Sequence, residues 1–322
     1  MRVKLFNWEV TGMKQHSLEL GTDAAMEAAE ASPAAKASWK DFVQLAKPGI
    51  VFSNSLTVLG GFWVASKWQI DWALLLYTIV GAALVMGSSC VLNNYLDRDF
   101  DVKMARTKNR PLPAGKLSPQ VVLVYGILLG ILGLALLWFG ANPISAMLGL
   151  IGMFLYVWVY TAWFKRTSVW STFVGSFSGA MPPIIGYCAV TSQLDTGALI
   201  LYSILFLWQP PHFWALGIRR MEEYRAAGYP LLPVVKGSYI TKMSMIRYVV
   251  LLVPVSLMLY LFGYVGAVYF FAAAIMGLLW VFLALKGFKA EDEEMWAKRM
   301  FIFSVNYLTL LFIIMIINTA QG

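Results

Sequence analysis

Nine apolar stretches follow one another between residues 49 and 319, and few folds are open to a chain built this way. They run over about 49–66, 72–95, 119–140, 143–163, 169–190, 196–218, 244–264, 266–286 and 298–319. Each is close to the roughly 20 residues an α-helix needs to cross the hydrocarbon core of a bilayer. Some joins are very short, such as Ala141-Asn142 and the turn from Gly263 to Gly266. The expected fold is therefore all-α: a polytopic membrane protein with nine transmembrane helices in a bundle, forming one domain over residues 41–322. Residues 1–40 are polar and Ala-rich, carry Glu27 and Glu30, and read as a loosely ordered tail. The tail has no apolar core with a cleavage site and is too acidic for a transit peptide, so neither targeting segment is expected.

Composition agrees. The chain is 59% hydrophobic and 13% charged, with mean hydropathy +0.67, whereas soluble domains are about a quarter charged. The net charge of +8 is not read as a nucleic-acid footprint, because the cations fall in short loops where topology accounts for them. Of the 25 lysines and arginines, all but Lys67 lie in the tail or in loops at one end of the expected bundle. By the positive-inside rule the N-terminus is cytoplasmic and the C-terminus outside. The two largest loops at that end, 96–118 and 219–243, both mix acids with bases, which suggests two four-helix halves with a ninth helix added. Cys90 and Cys188 sit within apolar runs and read as buried free thiols, with no disulfide framework and no metal site.

The stretch richest in chemistry is NNYLDRDFDVKMARTKNRPLPAGK, residues 93–116. Asn93, Asp97 and Asp101 recur every four residues and so share one helix face. Arg98, Lys103, Arg106, Lys108, Arg110 and Lys116 follow closely. Positive-inside bias supplies cations to a solvated loop, but it does not supply an Asn and two Asp in this register. Carboxylates with cations behind them suit a magnesium-chelated diphosphate: the acids hold Mg²⁺ and the bases hold phosphate oxygens. Neutralising a diphosphate makes it a leaving group, and an apolar bundle would house a hydrocarbon tail and keep water from an allylic cation.

Three other strings bear on function. Lys165 and Arg166 after the fourth stretch serve either as topology determinants or as further phosphate contacts. Trp208 to Trp214, WQPPHFW, puts Pro210, Pro211, Gln209 and His212 inside a span, where prolines kink the backbone and polar groups serve a site or a helix contact. Three roles stay open for His212: an axial ligand to haem iron, a donor to a carboxylate, or a helix–helix hydrogen bond. Pro182-Pro183 reads as a kink that shapes the cavity. No P-loop, nucleophile elbow or HExxH motif occurs.

Taken with KPGIVFSN, GAMPPIIGYCAVT, LWQPPHFWAL and EYRAAGYPLLPVVKG, the string from Asn93 resembles the intramembrane prenyltransferases, the 4-hydroxybenzoate polyprenyltransferase superfamily, and within it the haem-farnesylating branch. The similarity runs from about residue 40 to the end. It implies a nine-helix bundle in the inner (cytoplasmic) membrane of a bacterium, Mg²⁺ as cofactor, and farnesyl diphosphate and haem B as substrates. By motif match, Asn93, Asp97 and Asp101 would bind Mg²⁺–diphosphate. Arg106, Arg110, Lys165 and Arg166 would hold phosphate, and His212 would meet the haem. One departure stands out: the loop MEEYRAAGYP has Glu223-Tyr224 where the branch has Asp-Tyr. A Glu can still hold a metal or orient a Lys, so Glu223 and Tyr224 would also serve the diphosphate, while the exact second metal contact is not fixed by the match. A haem A synthase or a terminal oxidase is left open as a partner. The competing expectations are a related enzyme acting on an aromatic quinone precursor, and a non-catalytic haem-handling or transport protein.

Overall fold

The computed structural model describes residues 37–321. The tail expected over residues 1–40 lies, up to residue 36, outside the described residues. Helix α1 (Trp39–Leu45) precedes α2 (Pro48–Ser66), α3 (Trp72–Asp101), α4 (Pro119–Gly140) and α5 (Pro143–Thr167). There follow α6 (Ser171–Gly179), α7 (Met181–Thr191), α8 (Thr196–Arg219), the short α9 (Met221–Ala226), α10 (Leu232–Leu261), α11 (Ala267–Lys286) and α12 (Glu293–Ile317). With α6 and α7 counted as one broken span, nine segments among the described residues are long and apolar enough to cross a membrane.

Local chemistry sets the helix starts. Asp71, Ser118, Asn142, Asp195 and Asp292 each cap a helix by accepting a backbone N–H with the side chain, a contribution of about 1 kcal/mol apiece. Pro119 and Pro143 stand in the first turn, where a missing N–H has no cost. Asn142 also donates to the carbonyls of Cys188 and Ala189, at 2.8 and 3.0 Å, so the short join between α4 and α5 is pinned to the end of α7. Both cysteines are buried and free, as expected.

Several elements differ from the sequence reading. Helix α3 continues through Asp101, well past residue 95, because its last turns bury Asn93, Asp97 and Asp101 among cations rather than releasing them to water. Helix α10 begins at Leu232, about a turn and a half before a break at Gly237 (φ 77°), so Lys242 is helical and buried where a loop was expected. The fifth span is interrupted at Ala180, just before Pro182 and Pro183. In α8, by contrast, the helix runs unbroken through Pro210 and Pro211. In α5 the segment Leu155–Phe164 winds as a π-helix, a form concentrated at functional sites.

Large apolar side chains on the outer faces, such as Phe139, Phe271 and Leu278, are exposed, as lipid contact requires. Inside, small residues let backbones touch, the usual way helices associate without a hydrophobic driving force. A Cβ on Gly61 would stand 1.9 Å from the Pro183 carbonyl oxygen, and one on Gly186 would stand 2.0 Å from that of Val58. Helices α2 and α7 are thus in main-chain contact on both sides of the crossing. Substituting Gly186→Ala forces these helices apart and should cost about 1–3 kcal/mol. Thermal unfolding in detergent should show a lowered midpoint for this variant and none for Gly49→Ala, where a Cβ meets nothing within 4 Å.

Candidate active site

The C-terminal turns of α3 carry the site. Asn93, Asp97 and Asp101 stack along one face and are 3%, 1% and 4% exposed. Asn93 Nδ2 donates to Asp97 Oδ2 at 2.8 Å and to Thr161 Oγ1 on α5 at 3.1 Å. Lys47, the residue before α2, donates from Nζ to Asn93 Oδ1 at 2.6 Å. Lys165 at the end of α5 pairs with Asp97 Oδ2. Arg166 Nη2 lies 3.7 Å from Asp97 Oδ1 and donates to the Leu96 carbonyl at 2.6 Å. Arg110 closes the cluster by donating to Asp101 Oδ2 at 2.7 Å.

The loop after α3 is folded back so that Arg110 can reach. Thr107, itself buried, donates its hydroxyl to the Asp101 carbonyl at 2.8 Å, and a series of tight turns follows. The second large loop meets the first through an apolar cluster of Met104, Ala227 and Tyr229, joined by Phe100, Tyr224 and Leu231. Phe100 stacks on Tyr229 at 5.2 Å. Arg166 lies over Phe100 at 4.8 Å and Lys165 over Tyr229 at 5.0 Å. Aromatic faces therefore hold two cations in place by cation–π attraction. Burial holds the Tyr229 hydroxyl well above its ordinary range, so it stays protonated. Burial also pushes the Lys47 ammonium down, to about 8.

The electrostatics are unbalanced. Two carboxylates, Asp97 and Asp101, face four cations, Lys47, Lys165, Arg166 and Arg110. Surplus positive charge held partly out of water calls for an anion. Asp97 Oδ1 is buried without a hydrogen-bond partner, as are Arg166 Nε and Glu223 Oε2. Among the described residues no group of three or more His, Cys, Asp or Glu is gathered for a metal. That suits Mg²⁺, which takes one or two carboxylates and draws other oxygens from water and substrate phosphates. The orphaned Asp97 oxygen, the Asp101 carboxylate and the Asn93 carboxamide are donors of that kind, so the residues fit the ion.

Six of the residues singled out in the sequence thus come together: Asn93, Asp97, Asp101, Arg110, Lys165 and Arg166. Tyr224 joins them through Tyr229, 6.2 Å away ring to ring. Glu223 on α9 pairs with Arg220, the residue before that helix, at 2.6 Å, one oxygen satisfied and the other not. Arg106 is exposed in the loop and makes no ion pair among the described residues. His212 contacts none of the cluster; it bonds through Nδ1 to Ser304 Oγ on α12 at 2.7 Å, so the helix–helix hydrogen bond is realised. Lys47, Thr161 and Tyr229 were not foreseen. Lys47 reads as one more topology cation, but its place directly before Pro48 fixes it at the mouth of the first span. Thr161 precedes Lys165 by four residues, and only the fold brings it to Asn93.

The UbiA prenyltransferase family model matches residues 54–306. The chain is 52% identical over 290 residues to protoheme IX farnesyltransferase 1 of Bacillus subtilis (strain 168), covering 87% of this chain and 90% of that one. It is 50% identical over 279 residues to protoheme IX farnesyltransferase of Cronobacter sakazakii, covering 87% and 95%. Among solved structures, a digeranylgeranylglyceryl phosphate synthase superposes with TM-score 0.73 at 21% identity, covering 87% of this chain and 97% of that one. A UbiA homologue from Archaeoglobus fulgidus bound to GPP and Mg²⁺ superposes with TM-score 0.65 at 17% identity, covering 85% and 99%. A family match over most of the bundle, and identity of about one half with full-length relatives, lead to one conclusion: the chain belongs to the UbiA prenyltransferase family.

Proposed function

We propose that this protein transfers the farnesyl group of farnesyl diphosphate to a vinyl group of haem B, with addition of water, giving haem O and diphosphate. The reading draws its acceptor from the half-identity with protoheme IX farnesyltransferases along nearly their whole length. Its chemistry rests on one observation, the surplus of four cations around two buried carboxylates that leaves room for a polyanion.

Asn93, Asp97 and Asp101 would hold Mg²⁺. When bound, the ion neutralises phosphate oxygens and makes diphosphate a competent leaving group. Lys47 sits on Asn93 Oδ1 and Lys165 on Asp97 Oδ2, oxygens the ion would need, so both would turn to the phosphates on binding. Arg110 and Arg166 add fixed guanidinium donors, and Arg106 covers the phosphates from the exposed loop. Glu223 and Tyr224 bring the second loop over the site. The bond between the farnesyl C1 and the bridging oxygen breaks, and its electron pair leaves with diphosphate against these charges. The vinyl π pair of haem B forms the new C–C bond to the allylic carbon. Water adds to the resulting cation beside the ring and gives up a proton. No poised base is needed, which agrees with a cluster that holds metal ligands and phosphate ligands alone. His212 would meet the haem. The cation-rich end of the bundle lies in the cytoplasm of a bacterium, in its inner membrane, with the C-terminus on the far side.

The reading is tested with protein purified in detergent, haem B and farnesyl diphosphate, following porphyrin mass. A gain of farnesyl plus water that requires Mg²⁺ and falls about 100-fold or more in Asp97→Ala is expected; prenylation of 4-hydroxybenzoate in place of haem moves the acceptor. In Lys47→Ala, farnesyl diphosphate should bind about 10-fold more weakly, one charged hydrogen bond being lost. Haem B binding should be unchanged in the same titration.

A further inference from the structure

The string WQPPHFW has a use beyond supplying one histidine. His212 and Trp208 are one helical turn apart on α8, and their rings stack at 4.5 Å, tilted by 20°. On the other side Phe301 of α12 stacks on His212 at 4.6 Å and 28°. The imidazole is thus held between two aromatic planes. Both members of the α8 pair are tied to a single residue of α12. Trp208 Nε1 donates to the Ser304 carbonyl at 2.8 Å, and His212 Nδ1 meets the Ser304 hydroxyl at 2.7 Å. Ser304 is fully buried.

The hydrogen count then bears on the imidazole. A serine hydroxyl has one proton to give. Ser304 Oγ donates it to the Phe301 carbonyl one turn back, at 2.6 Å. With the hydroxyl proton on that carbonyl, lone pairs face His212, and this arrangement favours the tautomer in which Nδ1 carries the proton and donates. In neutral imidazole that leaves Nε2 as a bare lone pair. Nε2 has no hydrogen-bond partner among the described residues.

We propose that Ser304 is the positioning residue that sets the His212 tautomer, so that Nε2 is offered as a ligand to the iron of the tetrapyrrole acceptor. This rests on the function proposed above. An imidazole that donates its second N–H is oriented and made more basic toward a metal. The aromatic sandwich removes the ring's freedom to turn over and offer Nδ1 instead. Ser304 touches neither iron nor prenyl donor; it acts through His212.

The test uses full-length protein in detergent loaded with haem B, compared with His212→Ala, Ser304→Ala and Ser304→Thr. Three quantities are read: the iron–histidine stretching band of the ferrous complex by resonance Raman, haem affinity, and Mg²⁺-dependent binding of farnesyl diphosphate as a control on folding. The native protein should show the band and His212→Ala should lose it. Ser304→Ala should shift the band to lower frequency and weaken haem binding by about 10-fold to 100-fold, with diphosphate binding retained. Ser304→Thr, whose hydroxyl can make the same bond to the carbonyl of residue 301, should restore both. If His212→Ala loses the band but Ser304→Ala leaves band and affinity unchanged, the assignment to Ser304 is overturned and ligation by His212 stands. A band absent from the native protein, or unaltered in His212→Ala, overturns ligation and the role of Ser304 together. Haem O formation in the native protein would leave the farnesyl transfer itself untouched by either result.

Discussion

A carboxylate buried at the end of a membrane-spanning helix is sustainable only where cations surround it. Asp97, 1% exposed, meets Lys165, Arg166 and the amide of Asn93, and each of these comes from a fixed place in the bundle. The long α3, the π-helical α5 and the start of α2 all end where they do because they deliver a charge to this point. Removing one partner of a buried pair costs several kcal/mol, since it strands the other charge. The same arrangement that makes the site expensive to build makes it receptive. It already contains more positive charge than its acids can balance, so an anion would complete it rather than disrupt it.

Much of this was legible in the sequence. Nine apolar runs and the one-sided distribution of cations set the number of spans. The four-residue spacing of Asn93, Asp97 and Asp101 placed three oxygen donors on one face. Lys165, Arg166 and Arg110 were identified through the resemblance to the family's motifs, since type and position alone left Lys165 and Arg166 open as topology determinants. Less legible was whatever depends on contact between distant segments. Lys47 lies 46 residues from Asn93 and Thr161 lies 68 from it, and no periodicity links them. Tyr229 is one aromatic among many until Phe100 is found stacked upon it.

The sequence also misled where burial overrode polarity. Residues 232–243 read as part of a loop, yet they are largely helical, and Lys242 has a partner inside the fold in Glu293. Proline behaved in two ways. Pro182 and Pro183 coincide with a broken helix, while Pro210 and Pro211 lie within an unbroken one whose neighbouring residues are clamped to α12. Tertiary packing, rather than the imino acid alone, decided which.

The π-helical segment of α5 has an implication for how this site tolerates change. In such a segment each backbone N–H bonds five residues back rather than four, so the turn is wider and the side chains are spread differently around the axis, as in the Tyr156 and Tyr160 rings that lie 5.6 Å apart. An ordinary helix turns each residue by about 100° and would present a different set to Asp97. Loss of a single residue between Phe154 and Lys165 would let the segment relax to the commoner form and swing the lysine off the carboxylate. Every residue type in the site would still be present, and every apolar run would still be long enough to span. Length over these ten positions is therefore as much a part of the active site as the side chains it carries, and a deletion there would be silent to composition and hydropathy while unmaking the charge pairing.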